Sequence, residues 1–235
     1  RNFQEDCTYI EGGKIIFANN TFYTTGVTGG EAMNFKSGCL ADVAYNLVYS
    51  TNTNALKLSN SGDRTPQAYI IAYNNTMVNT GWRRPTAKGG SVWLEATVRT
   101  ELYNNLFVNT RFGVKRDTKK PEDNRSIYSN NWYYGFDQAT VNQFQPTAEI
   151  VAGTNDVISK TAGANDPKFV NYPLNTSTGT AVFTSTWDFH LLAGSPALTK
   201  GKTNFTRHYA AGIIANGVNY ISPEPAAFVG AFGGK

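Results

Sequence analysis

Ala72-Tyr73-Asn74-Asn75-Thr76-Met77-Val78 and Leu102-Tyr103-Asn104-Asn105-Leu106-Phe107-Val108 are two copies of one pattern, and that pattern decides the fold. The order apolar-x-Tyr/Ala-Asn-Asn-x-apolar-apolar also reads at Phe17-Ala18-Asn19-Asn20-Thr21-Phe22-Tyr23 and, more weakly, at Tyr128-Ser129-Asn130-Asn131-Trp132-Tyr133-Tyr134. Val43-Ala44-Tyr45-Asn46-Leu47-Val48-Tyr49 is a further copy. Aligned on the last Asn, the copies fall at 20, 46, 75, 105 and 131, in steps of 26, 29, 30 and 26 residues. A period in this range marks stacked units of one shape.

Each copy is rich in Val, Tyr, Phe and Thr and alternates in polarity, which is a strand signal. A second alternating run follows most copies: Met33-Asn34-Phe35-Lys36, Leu56-Lys57-Leu58-Ser59, Val92-Trp93-Leu94-Glu95 and Phe112-Gly113-Val114-Lys115. The links are dense in Gly, Asn, Thr and Pro, the residues of turns. No sustained helical period is present. Strand–turn–strand repeats of this length predict an all-β solenoid, a parallel β-helix of about five coils with an irregular C-terminal closing segment. Asn stacked at one turn is expected to hydrogen-bond along the stack and to accept the left-handed backbone.

The repeat resembles the secreted bacterial right-handed parallel β-helix proteins, which include polysaccharide lyases and glycan-binding surface proteins. Trp187-Asp188-Phe189-His190-Leu191-Leu192-Ala193-Gly194-Ser195-Pro196-Ala197-Leu198-Thr199-Lys200-Gly201 resembles the segment that commonly closes such helices. The resemblance implies a bacterial protein, secreted or on the outer cell surface. Its expected partners are polysaccharide and other glycan-uptake proteins of the surface. One fold hosts many activities, so the activity must come from a site.

Length suits one domain over residues 1–235. Regular coils are expected at 15–135, a loop-rich stretch at 136–165 with a short helix within 141–151, and a closing coil and cap at 166–235. Little room precedes the first strand for a cap, so the chain is expected to be the C-terminal part of a longer protein. Only 16% of residues are charged and the net charge is +4, which favours an acidic glycan over nucleic acid, since no basic run is interleaved with aromatics. No apolar run is long enough to span a bilayer. Cys7 and Cys39 lie about one coil apart and read either as a disulfide or as two buried thiols.

Candidate binding groups follow from strand alternation. With Phe35, Leu58, Leu94 and Val114 inward, Lys36, Lys57, Trp93, Glu95 and Lys115 face out. Two loops, 81–90 with Trp82, Arg83 and Arg84, and 116–125, are expected between neighbouring coils, and the first is expected to overhang that face. Indole rings beside Lys and Arg suit sugars, especially acidic ones. The leading expectation is therefore a polysaccharide-binding or presenting surface at Trp82, Arg83, Arg84, Trp93, Glu95, Lys57 and Lys115, with no cofactor.

A lyase is the alternative. Gly30-Glu31-Ala32-Met33-Asn34-Phe35-Lys36-Ser37 resembles the corresponding segment of chondroitinase-B-like lyases, which would make Glu31 a Ca²⁺ ligand and Lys36 the base. The second acid of that pattern is replaced by Met33. A third expectation is a structural module without its own ligand. His190 and His208 are the only histidines, and no P-loop, dinucleotide fingerprint or nucleophile elbow is present.

Overall fold

A computed structural model describes residues 6–25, 30–83, 89–174 and 182–235. Five coils stack, each built of three short strands. They are β1 (Tyr9–Ile10), β2 (Gly13–Ala18) and β3 (Thr21–Thr25); β4 (Met33–Phe35), β5 (Cys39–Ala44) and β6 (Leu47–Thr51); β7 (Leu56–Ser59), β8 (Tyr69–Tyr73) and β9 (Thr76–Val78); β10 (Val92–Glu95), β11 (Arg99–Tyr103) and β12 (Leu106–Val108); β13 (Val114–Arg116), β14 (Ile127–Ser129) and β15 (Trp132–Tyr134). Equivalent strands of successive coils pair in parallel, giving three five-stranded sheets. Sheet A holds β1, β4, β7, β10 and β13. Sheet B holds β2, β5, β8, β11 and β14, and sheet C the remaining five. This is the parallel β-helix that the repeat predicts.

The repeat carries three strands where the sequence shows two runs, because the Asn pattern is itself a corner. The residue before the ladder Asn adopts the left-handed conformation, as at Asn19 (φ 60), Tyr45 (φ 54), Asn74 (φ 49), Asn104 (φ 57) and Asn130 (φ 60). One such residue turns the chain from sheet B into sheet C. The ladder Asn itself does not have a positive φ, which corrects the expectation that the stacked residue takes the strained conformation.

The ladder is continuous. Each side-chain amide donates to the next Oδ1: Asn20 to Asn46 (3.0 Å), Asn46 to Asn75 (2.9 Å), Asn75 to Asn105 (2.9 Å) and Asn105 to Asn131 (3.0 Å). Each Oδ1 also receives the backbone N–H of the preceding rung. These bonds satisfy polar groups that a buried corner would otherwise orphan. Inside the coils lie Phe35, Val43, Leu58, Met77, Leu94, Phe107 and Tyr133, all fully buried or nearly so.

The last coil is closed by α1 (Gln138–Asn142), capped by Asp137, whose carboxylate accepts from the Thr140 N–H at 2.7 Å. The helix begins before the stretch expected from sequence because Asp137 supplies an N-cap there. Val141 and Phe144 enter the core, Phe144 against Tyr133.

The C-terminal part does not form another coil. β16 (Phe169–Asn171) and β17 (Asp188–Leu191), from the segment expected to close the helix, pair antiparallel. Phe169, Phe189 and Leu191 cover the outer face of sheet C at Tyr49, Val78, Val108 and Tyr134. Residues 202–230 run over the outer face of sheet B and include the hairpin β18 (Ile213–Ala215) and β19 (Val218–Tyr220). They are held there by the first Asn of two of the pairs. Asn74 donates to the Phe228 carbonyl (2.7 Å) and Asn104 to the Lys202 carbonyl (2.8 Å). Fully buried Asp42 accepts from the N–H groups of His208 (3.1 Å) and Tyr209 (2.9 Å). Two outer faces are thus covered, and no described segment of the C-terminal part packs on the outer face of sheet A.

Cys7 and Cys39 are free thiols. Burial raises the pKa of both, which keeps them protonated and unreactive. Of the loop at 81–90, residues 84–88 lie outside the described residues, and its described ends fall between β9 and β10; the loop at 116–125 lies within one coil, between β13 and β14.

Candidate functional site

On sheet A the residues facing out form rows across the coils. The register joins Tyr9, Asn34, Lys57, Trp93 and Lys115 into one row. Phe35, Leu58, Leu94 and Val114 all point inward as the alternation requires. Val114 nevertheless stacks with Val92, Leu56 and Met33, while Arg116 lies opposite Leu94. The shift arises because the links into successive strands differ in length.

Trp93, between Lys57 and Lys115 in the row, is half-buried. Its indole Nε1 donates to Glu95 Oε2 at 2.9 Å, and Lys57 Nζ pairs with Glu95 Oε1 at 3.3 Å. Burial works against the charge on Glu95, but the Trp93 hydrogen bond and the Lys57 ammonium outweigh it and hold the carboxyl below its ordinary pKa. These side chains line a cleft of about 450 Å³ that also takes in Glu31, Thr53, Asn54 and Asp117. The far wall depends on Gly89 (φ +114), where a Cβ would lie 2.8 Å from the Thr53 backbone. Only glycine allows that approach.

Glu31 sits at one end of the cleft in a carboxyl pair with Asp6, a residue that sequence reasoning did not single out. Asp6 accepts from the Glu31 N–H at 2.8 Å and from Asn34 Nδ2 at 2.6 Å. Asn54 Nδ2 donates to Glu31 Oε1 at 3.2 Å. Burial, then the hydrogen bond and charge of Asp6, raise the Glu31 pKa from 4.5 to about 7. Asp6 is held low by hydrogen bonds from Glu31 and Asn34 despite its own burial. The pair therefore shares a proton up to neutrality. The signal for Asp6 in the sequence is its spacing from Glu31, 25 residues or one coil.

The remaining sequence candidates are dispersed. Lys115 adjoins Trp93 in the row, 6.0 Å from its ring, but pairs with Glu149 at 2.9 Å. Lys36 lies at the other end of β4 from Glu31 and donates to Ser61 Oγ at 2.9 Å. Trp82 turns away from the cleft, donating its indole N–H to the Asn109 carbonyl at 2.7 Å, and Arg83 also lies outside the cleft lining. Arg84 lies outside the described residues. The expected cationic strip is therefore a row of paired cations, with Lys57 and Lys115 each matched by a glutamate. No group of three acids, histidines or cysteines fit to hold a metal occurs among the described residues.

Comparison with models of known families, with curated proteins and with solved structures finds no match. No helix is long and apolar enough to cross a membrane among the described residues. Function must therefore be read from the cleft itself.

Proposed function

We propose that this chain is a polysaccharide-binding module of a secreted or cell-surface protein and that it holds glycan in the open cleft of sheet A. The observation that carries the reading is the Trp93 indole, half-exposed on a sheet face that the described C-terminal segment does not cover, and fixed by Glu95. A sugar packs its apolar face on such a ring. The Lys57–Glu95 pair and the Asn54 amide stand beside the ring as donors and acceptors for hydroxyls. Three carboxyl groups, Glu31, Glu95 and Asp117, face one lysine in the cleft lining. That balance favours a hydroxyl-rich, uncharged sugar unit at this position.

Affinity electrophoresis through gels of neutral and acidic polysaccharides tests the reading. Retardation by at least one glycan, lost in Trp93→Ala, supports it. Retardation that Trp93→Ala leaves unchanged removes the cleft from the binding surface. Release of unsaturated product, lost in Lys36→Ala, would replace the reading with the lyase.

A further inference from the structure

The C-terminal segment does not seal sheet B completely. Between residues 202–208 and the strands β8 and β11 lies a second pocket, of about 400 Å³. That volume lies in the range of small-ligand sites. It belongs to a different face from the sheet A cleft and does not depend on it.

Its floor is a fixed polar set. Glu101, only 7% exposed, accepts from the hydroxyls of Tyr69 and of Tyr103 (2.8 Å) and pairs with Arg99 at 3.7 Å. The Arg99 guanidinium lies over the Tyr69 ring, 4.0 Å from its centroid. Arg99 Nε is buried there and has no hydrogen-bond partner. A buried donor without a partner costs stability, so its retention calls for an explanation.

The rim brings a second cation. The Lys202 backbone is clamped on Asn104 from both sides, N–H to Oδ1 at 2.7 Å and carbonyl from Nδ2 at 2.8 Å. This fixes the root of the side chain, whose ammonium lies 5.0 Å from the Tyr103 ring centroid. No carboxylate pairs with it among the described residues. Phe205 stacks on the same tyrosine at 4.2 Å, and Ile71, Asn204, Thr206, Arg207 and His208 also line the pocket. Two tyrosine hydroxyls already occupy Glu101 and Arg99 lies within ion-pair range of it, so the pocket offers unfilled donors beside an aromatic wall.

We infer that this pocket binds a uronic acid unit, its carboxylate between Arg99 and Lys202 and its ring against Phe205. Charge-assisted bonds from two cations set the preference for the acid. Asn204 and Thr206 serve the ring hydroxyls.

The test is titration calorimetry with a uronic acid trisaccharide and with its carboxyl-reduced, neutral counterpart, while amide chemical shifts locate the site. The acid is expected to bind and to weaken with added salt. The neutral form is expected to bind about tenfold more weakly or less, and Lys202→Met to lose about tenfold in affinity for the acid. Shifts are expected at residues 202–208. Equal binding of the two saccharides, an unaffected Lys202→Met, or no binding overturns the inference. Shifts confined to the Trp93 cleft overturn it too, and leave the sheet A reading standing.

Discussion

Asn131 donates its side-chain amide to Asp156 Oδ1 at 3.1 Å, and the asparagine ladder ends there on a carboxylate. Asp156 also receives the Asn131 backbone N–H (2.8 Å) and, on its other oxygen, that of Gly153 (2.8 Å). Asn155 before it has φ 61, so Asn155-Asp156 is a sixth rung in a stretch that reads as loop in sequence. Bridges from Ser129 to Thr154 and from Trp132 to Val157 confirm a partial sixth coil. A carboxylate accepts but cannot donate, so it terminates the ladder.

Replacing that terminator has a defined cost. In Asp156→Asn, one oxygen can still serve Asn131, but an amide NH₂ then faces the Gly153 N–H. The expected loss is about 1–3 kcal/mol, the cost of one buried donor left unmade. Urea unfolding checks it as a lower midpoint at unchanged slope.

Position along the ladder sets the cost of losing a rung. Asn75→Ala strands the buried Asn46 N–H, leaves the Asn46 side-chain amide with its bond to the Phe17 carbonyl alone, and removes a donor from the Val43 carbonyl. About 2–4 kcal/mol is expected there, for more than one buried group. Asn20→Ala, at the half-exposed first rung, is expected to cost about 1 kcal/mol. Equal losses at the two sites would refute a ladder that matters through burial.

The Asp6–Glu31 pair predicts an acid-favoured stability. Glu31 has its pKa raised from 4.5 to about 7, so the folded state binds a proton more tightly than the unfolded chain. Its contribution is fully present below about pH 4.5 and is lost as pH rises through about 7. Unfolding free energy measured across this window is expected to fall with pH. Glu31→Gln is expected to flatten the decline.

Trp93 and Trp82 separate binding from stability. Trp93→Ala is expected to lower glycan affinity about tenfold or more while leaving the urea midpoint nearly unchanged. Trp82→Ala breaks a bond to the Asn109 carbonyl and is expected to destabilise the chain by about 1–3 kcal/mol without changing affinity. The reverse outcome would move the binding surface to the loop at 81–90.

Asp42 tests how the C-terminal segment is held. Asp42→Ala leaves the His208 and Tyr209 N–H groups and the Ser222 hydroxyl without their acceptor. Faster hydrogen exchange is expected over residues 202–224, with the coils still protected. Uniform loss of protection would show the segment and the coils to be one cooperative unit.

The parts of this molecule written in sequence are those set by local repetition. The period of Asn20, Asn46, Asn75, Asn105 and Asn131 determined the parallel solenoid, because one corner geometry recurs and recurring corners stack. Strand alternation determined that Lys57, Trp93 and Lys115 face outward. Single residues did not reveal their partners. Asp6, Glu95 and Glu149 neutralise or share protons with groups that sequence reads as free, and only their proximity across coils shows it. Likewise, the segment around Asp188-Phe189-His190-Leu191 reads as a closing coil, yet it folds back on sheet C, where Tyr49 and Val108 leave apolar surface to be buried. Local pattern thus determined the solenoid and its inward and outward faces. Tertiary packing of the C-terminal segment decided which outward faces it covers, because burial of apolar surface depends on what lies opposite rather than on what lies next in the chain.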